Sequence, residues 1–276
     1  MSQNIPFKKS KYQIEVYKEN APIFGSVLKE LESDIAAKKI KPKDIASKFE
    51  EQCKNIWQEV SFPFKNVKND YGYFDKSICL SVNSTVAHGD YNEIDFFNQG
   101  DLVTVDCGMS ILIKSKFDFK RLHFDSAFTT IYGKNECSYL DKYNLLKTNL
   151  YCLKELNNKE IIDTYNLSSI IESIAAENGY GIIADLTGHG IGLSLHEAPK
   201  IYNLKTKYNN LSLFDGLVLC VEPIYTLGDK FTKVFTDSDG WTIKTVDGSL
   251  NSHFETMYLV EDGKLIDLVG ISEWNI

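Results

Sequence analysis

The apolar positions of this chain follow two rhythms. Over residues 23–37, "IFGSVLKELESDIAA", Phe24, Val27, Leu28, Leu31 and Ile35 recur at three- and four-residue steps. That spacing predicts a helix with one buried face. Pro22 stands just before it and suits a first turn, where its missing N–H has no intrahelical partner to lose. The same period predicts helices over 43–57 (Ile45, Phe49, Cys53, Ile56), 141–157 (Leu146, Leu150, Leu153) and 166–178 (Leu167, Ile170, Ile171, Ile174). Gly179 is the expected C′ residue of the last. Runs rich in β-branched and apolar residues predict strands at 77–82, 101–108, 126–133, 216–225 and 253–262. Helices and strands come in mixed order, which predicts an α+β fold with antiparallel pairing. No low-complexity linker or repeat divides the chain, so residues 1–276 are read as one domain.

Acids break the strand pattern. In "LVTVDCG", alternation puts Val103, Val105 and Cys107 on one face and Thr104 and Asp106 on the other. Glu222 falls on the face of Val218 and Cys220, and Glu255 on that of Met257 and Leu259. A carboxylate on an apolar face is costly unless it is paired or metal-bound. Each acid alone has a plain reading as well. Asp106 precedes Cys-Gly and can close a strand, and Asp125 can be a turn residue. A single histidine such as His189 can be a packed core or surface residue. Together, four acids and a histidine in a glycine-rich stretch form a donor set for divalent metals in hydrolases. That is too much negative charge for one zinc and suits two metals that share carboxylates.

Composition narrows the class. The chain has 276 residues, 43% of them hydrophobic, with net charge −8 and a pI near 5.2. That balance speaks against a general nucleic-acid binder. The six cysteines are scattered without a CxxC pair, which fits reduced thiols. The N-terminal stretch lacks a signal-like apolar core, and no apolar run is long enough to span a bilayer. A cytoplasmic protein is expected, with no membrane partner.

Five segments carry a resemblance to a known family: "YGYFDKSICLSVNSTVAHGD" (71–90), "GDLVTVDCG" (100–108), "GHGIGLSLHEAPKI" (188–201), "VEPIY" (221–225) and "DGWTIKTVDGSLNSHFETMYLV" (239–260). In this order they resemble the type I methionine aminopeptidases, over roughly 15–270. The resemblance implies a pita-bread fold, a curved antiparallel sheet covered by helices with a dinuclear metal site in the centre. It implies five ligands: Asp106 on one metal, His189 and Glu222 on the other, Asp125 and Glu255 bridging. Co, Mn, Fe, Ni and Zn all tolerate such ligands. It places His196 against the scissile carbonyl and His88 against the amide near the cleaved bond. The glycines around His189 are read as a tight turn that lets both rings reach one cavity. The implied reaction is removal of an initiator methionine by a metal-bridging hydroxide, with Glu222 a candidate for proton transfer. The implied methionine pocket has walls of Tyr71, Phe74, Cys79 and Trp241, rings and sulfur suited to a thioether; the two aromatics can equally be ordinary core residues.

The chain also departs from the family. Its two aspartates lie nineteen residues apart, and 109–124 holds about eight extra residues, read as a hairpin insertion. Asp125 is favoured over Asp118 as the second aspartate, because "DSAFTTIYG" matches the family downstream of it. Lys114, Lys116, Lys120 and Arg121 in the insertion fit a solvated hairpin or a contact with an acidic partner such as ribosomal RNA. His253 is read as a neighbour of Glu255 or as packing, and His123 as exposed loop. The expected partner is a peptide or nascent-chain N-terminus, and a monomer is the default. Two alternatives remain. One is a proline-specific aminopeptidase or dipeptidase of the same fold, although only about 70 residues precede the core motifs, too few for the extra domain of those relatives. The other is a metal-free binding module that has kept the fold.

Overall fold

The computed structural model describes residues 6–114, 118–133, 138–207 and 210–276. Among the described residues, four α-helices pack around antiparallel sheets, which is the α+β class expected. Helix α1 spans Lys11–Ala36, α2 Pro42–Ile56, α3 Leu140–Leu156 and α4 Thr164–Glu177. Helix α1 begins twelve residues before the predicted start, because Ser10 and Gln13 form a reciprocal capping box. Pro22 is therefore inside the helix, not at its first turn. It lies on the exposed side together with Lys18, whose carbonyl loses its helical donor there. The buried stripe runs through it from Val16 and Tyr17 to Phe24, Leu31 and Ile35. Gly179 follows α4 at φ +75°, as the sequence predicted for a C′ glycine.

The longest strands, Leu102–Lys114 and Phe119–Ile131, form a hairpin with Ile78–Val82 on its edge. Its register sets Asp106 opposite Ala127 and Asp125 opposite Gly108. Asp125 is two residues from Ala127, so both aspartates project from one face as diagonal neighbours. The hairpin thus closes the nineteen-residue separation. Its tip, 115–117 with Lys116, lies outside the described residues.

A second sheet has five antiparallel strands, in the order Lys264–Asp267, Thr256–Glu261, Val218–Val221, Thr187–Gly190, Glu197–Tyr202. Two predicted strands turn out to be broken. The run 216–225 divides at Glu222-Pro223, and 253–262 at Phe254-Glu255. Proline has no N–H for a central ladder, so pairing stops there. Beyond the break, Ile224–Thr226 and Asn251–His253 pair with each other in a separate sheet. Glu222 and Glu255 therefore occupy corners where two adjacent strands change sheets. They do not lie within continuous strand faces as expected from alternation. At Glu255 the backbone turns to the hairpin, exchanging hydrogen bonds with Ala127 of 2.9 Å and 3.3 Å. That bridge sets one glutamate corner against the two aspartates.

His189 is on the strand Thr187–Gly190, not in a turn. Neither Gly188 nor Gly190 has a positive φ. Their use is close approach. A Cβ on Gly188 would lie 2.3 Å from the Cys220 carbonyl oxygen, and one on Gly190 2.1 Å from that of Ala198. Gly190→Ala is accordingly expected to destabilise the fold by about 1–3 kcal/mol, by pushing two strands apart. Urea denaturation measures this; an unchanged midpoint would contradict the packing argument.

Candidate metal centre

The predicted acids and histidines converge on one cavity of about 880 Å³. Asp106, Asp125, His189, Glu222, Glu255, His88 and His196 all line it, although they come from six separate stretches of chain. Asp125, His189, Cys220 and Glu255 each offer one donor atom within 4.8 Å of the others. Cys220 was not among the predicted site residues. Its signal was its place two residues before Glu222 and directly across from His189 in the sheet. Asp118 is exposed, its carboxylate accepts from the Phe119 amide at 2.7 Å, and it does not line the cavity.

The backbone orients His189. Its Nδ1 is 2.9 Å from the Gly190 carbonyl, which can only accept, so Nδ1 carries the proton. The Nε2 lone pair is left for another partner. Nε2 stands 3.8 Å from Asp125 Oδ2 and 3.9 Å from Glu222 Oε1, beyond hydrogen-bond reach. Burial, reinforced by His196 nearby, pushes His189 down to about 3 and keeps the ring neutral at neutral pH. The His189 and His196 rings meet edge to face at 4.4 Å.

The four acids are forced the other way. Burial raises all of them. Asp106 is pushed up to about 7. Asp125 is raised further by Glu255 and Asp106, Glu222 by Asp106 and Asp125, and Glu255 by Glu222 and Asp106. Like charges in one buried space cannot all ionise without a countercharge. Asp106 Oδ1, Asp125 Oδ1 and Glu255 Oε1 are also buried without a hydrogen-bond partner. Orphaned carboxylate oxygens around a neutral imidazole fit divalent cations, the partner that satisfies both the oxygens and the charge.

The apolar end of the cavity holds Phe74, Cys79 and Trp241. Phe74 and Trp241 meet at 5.3 Å, and each also packs against the His88 ring. His88 has φ +54°, an uncommon backbone for a non-glycine residue and one that aims the ring at the cavity. Asp239 accepts from the amides of Trp241 and Thr242 at 2.8 Å each and so fixes the indole's turn. Tyr71 does not belong to this wall. It is 73% exposed and lies behind the turn, against Gly240. Its position in sequence matched a pocket residue, but the turn at Gly240, with φ +74°, holds the ring outside. Phe64 and Leu195 line the cavity instead; Leu195 stands out in sequence only as the residue before His196, and nothing distinguishes Phe64 from other core residues.

The remaining histidines also have assigned places. His253 is buried at the cavity, with Nε2 3.7 Å from Glu222 Oε2. His123 was expected in an exposed loop but lies on the second hairpin strand, held by the Gly192 carbonyl. Arg121 is engaged by the carbonyls of Glu59 and Ser110, which leaves Lys114 and Lys120 as the exposed basic residues among those described in the hairpin. The five described cysteines are free and buried; Cys137 lies outside the described residues. Among the described residues no helix is long and apolar enough to cross a membrane.

Comparison with known proteins places this geometry. A model described as metallopeptidase family M24 matches residues 15–262. A methionine aminopeptidase of Mycoplasma capricolum is 31% identical over 221 residues, 80% of this chain and 81% of that protein. The crystal structure of a methionine aminopeptidase from Thermotoga maritima superposes with a TM-score of 0.81 at 29% identity, covering 96% of this chain and 99% of the other. A prolidase from Pyrococcus horikoshii shares the fold at a TM-score of 0.61 and 20% identity, but this chain covers only 63% of it. The pita-bread fold read from the sequence motifs is therefore the fold of the chain.

The raised acids give a pH dependence with a definite sign. A carboxyl whose pKa is higher folded than unfolded keeps its proton in the fold where the unfolded chain has released it. The metal-stripped protein therefore loses stability as pH rises from about 4. For Asp106 the loss continues to about 7. Urea midpoints measured in chelator at pH 5 and pH 7.5 should fall more steeply in the wild type than in Asp106→Asn. Equal slopes would contradict the assignment.

Proposed function

The chain belongs to metallopeptidase family M24, and we propose that it removes the N-terminal methionine from peptides and nascent proteins with two divalent metal ions held by Asp106, Asp125, His189, Glu222 and Glu255. The convergence of these five side chains on one cavity carries the reading. Asp106, Asp125, Glu222 and Glu255 would supply the oxygen donors and His189 Nε2 the imidazole donor that hold the ions. When bound, such ions supply Lewis acidity that activates water and polarises the peptide carbonyl. Oxygen donors with one imidazole accept Co, Mn, Fe, Ni or Zn.

The protein's own groups do the rest. His196, whose pKa is lowered first by burial and then by His88 and His123, is neutral at neutral pH. It keeps one ring N–H to donate to the scissile carbonyl, a bond that strengthens as negative charge develops there. His88, lowered by burial, is the donor or acceptor for the amide next to the cleaved bond. Glu222, placed between the ion it would help hold and the substrate, is also the candidate to pass a proton to the leaving amine, a role that competes with pure ligation. Phe74, Cys79 and Trp241 give a methionine side chain an apolar, polarisable seat. The apolar end beside the acids favours a substrate that enters amino-terminus first.

Proline-specific cleavage is the weaker reading, because the prolidase likeness is one of fold alone. A panel of Met-Ala-Ser against Xaa-Pro peptides separates the two, with cleavage of the first expected. Asp125→Asn should remove that cleavage, and Asp118→Asn should leave it unchanged. His196→Ala should lower kcat by about 10²-fold with metal binding retained. Loss of activity in Asp118→Asn alone would overturn the ligand set, and preference for Xaa-Pro would overturn the substrate.

A further inference from the structure

His196 needs an accurate position, yet residues 191–196 form no regular strand or helix. Among the described residues, the side chains that tie this segment down are few. Glu197, the next residue, accepts from the Ser194 amide at 3.1 Å through Oε1. Its other oxygen, Oε2, is 2.6 Å from Lys9 Nζ. Lys9 is only 5% exposed, and its ammonium rests against Gly192, where a Cβ would lie 2.6 Å from Nζ. The Lys9 amide donates to the Gly216 carbonyl at 2.7 Å, so the lysine's backbone is anchored as well. On the other flank, Tyr17 of α1 donates to the His123 carbonyl at 2.9 Å. The His123 amide in turn donates to the Gly192 carbonyl at 2.9 Å.

A buried ion pair is weak evidence for stability, since desolvation offsets the attraction. What it does supply is a fixed geometry. We propose that the Lys9–Glu197 ion pair is a positioning latch for His196, tying the segment ahead of α1 to the loop that carries the imidazole. Lys9 touches no reacting atom and acts only through the loop. The inference rests on the role given to His196 above.

The test is a double-mutant cycle on the metal-loaded, full-length protein, read by steady-state cleavage of Met-Ala-Ser. Lys9→Met should lower kcat by about 10- to 100-fold with little change in KM, as expected for a misplaced group acting at the transition state. In a His196→Ala background the same change should move kcat by less than about twofold, because the latch then has nothing to position. Lys9→Arg should retain most of the activity. Glu197→Gln cuts the ion pair while keeping an oxygen for the Ser194 amide, and serves where Lys9→Met folds poorly. Amide hydrogen exchange over residues 191–197 should quicken in Glu197→Gln without metal or substrate present. Equal losses of kcat in both backgrounds, or lowered thermal stability with kcat unchanged, would overturn the latch. Full activity of His196→Ala by itself would instead remove the role of His196, and the proposal with it.

Discussion

Four carboxylates gathered around one cavity, Asp125 and Glu255 buried and Asp106 and Glu222 half-buried, are the constraint on which the rest of this molecule turns. Moving a single carboxylate out of water costs several kcal/mol even after relaxation. Asp106, Asp125, Glu222 and Glu255 pay this together and repel one another besides. Protonation relieves the strain only in part and leaves buried oxygens without partners. Divalent cations relieve both the charge and the missing bonds. A fold that gathers such a set and keeps a neutral imidazole beside it is suited to bind metal.

The backbone is arranged to make this gathering unavoidable. The hairpin register places two aspartates on one face. Two adjacent strands leave one sheet for another at the same level, which presents Glu222 and Glu255 at the corners. The Ala127–Glu255 bridge sews the glutamates to the hairpin. Glycines at 188 and 190 let three strands crowd together around His189. A left-handed backbone at His88 and an Asp239-braced turn at Trp241 close the apolar end. Binding pocket and charged centre are thus products of the same few irregularities in otherwise ordinary strands.

Much of this was legible in the sequence. Helix periodicity located the four described helices, and β-branched runs located the strands around Asp106, Glu222 and Glu255, but not the strand Thr187–Gly190 that carries His189. The acids stood out because charge inside apolar strands needs a reason. Motif resemblance then separated Asp125 from Asp118, which spacing alone did not. What stayed hidden was three-dimensional. The start of α1 depended on a Ser10–Gln13 capping box, and a proline that looked like a first turn proved tolerable on a solvated face. The strand breaks depended on which sheet each half joined, and alternation is blind to that. Tyr71 had the right place in a motif, but a turn at Gly240 holds it on the outside. The glycines flanking His189 read equally well as turn residues and as gaps for neighbouring carbonyls, and only the packed sheet decides between these.

The most direct measurement is anomalous diffraction from crystals grown with Mn²⁺, collected at a wavelength where manganese scatters strongly. The account predicts two anomalous peaks in the cavity, each bonded to oxygens among Asp106, Asp125, Glu222 and Glu255, with His189 Nε2 on one of them. An absence of peaks among these five side chains, at metal concentrations that support cleavage, would contradict it.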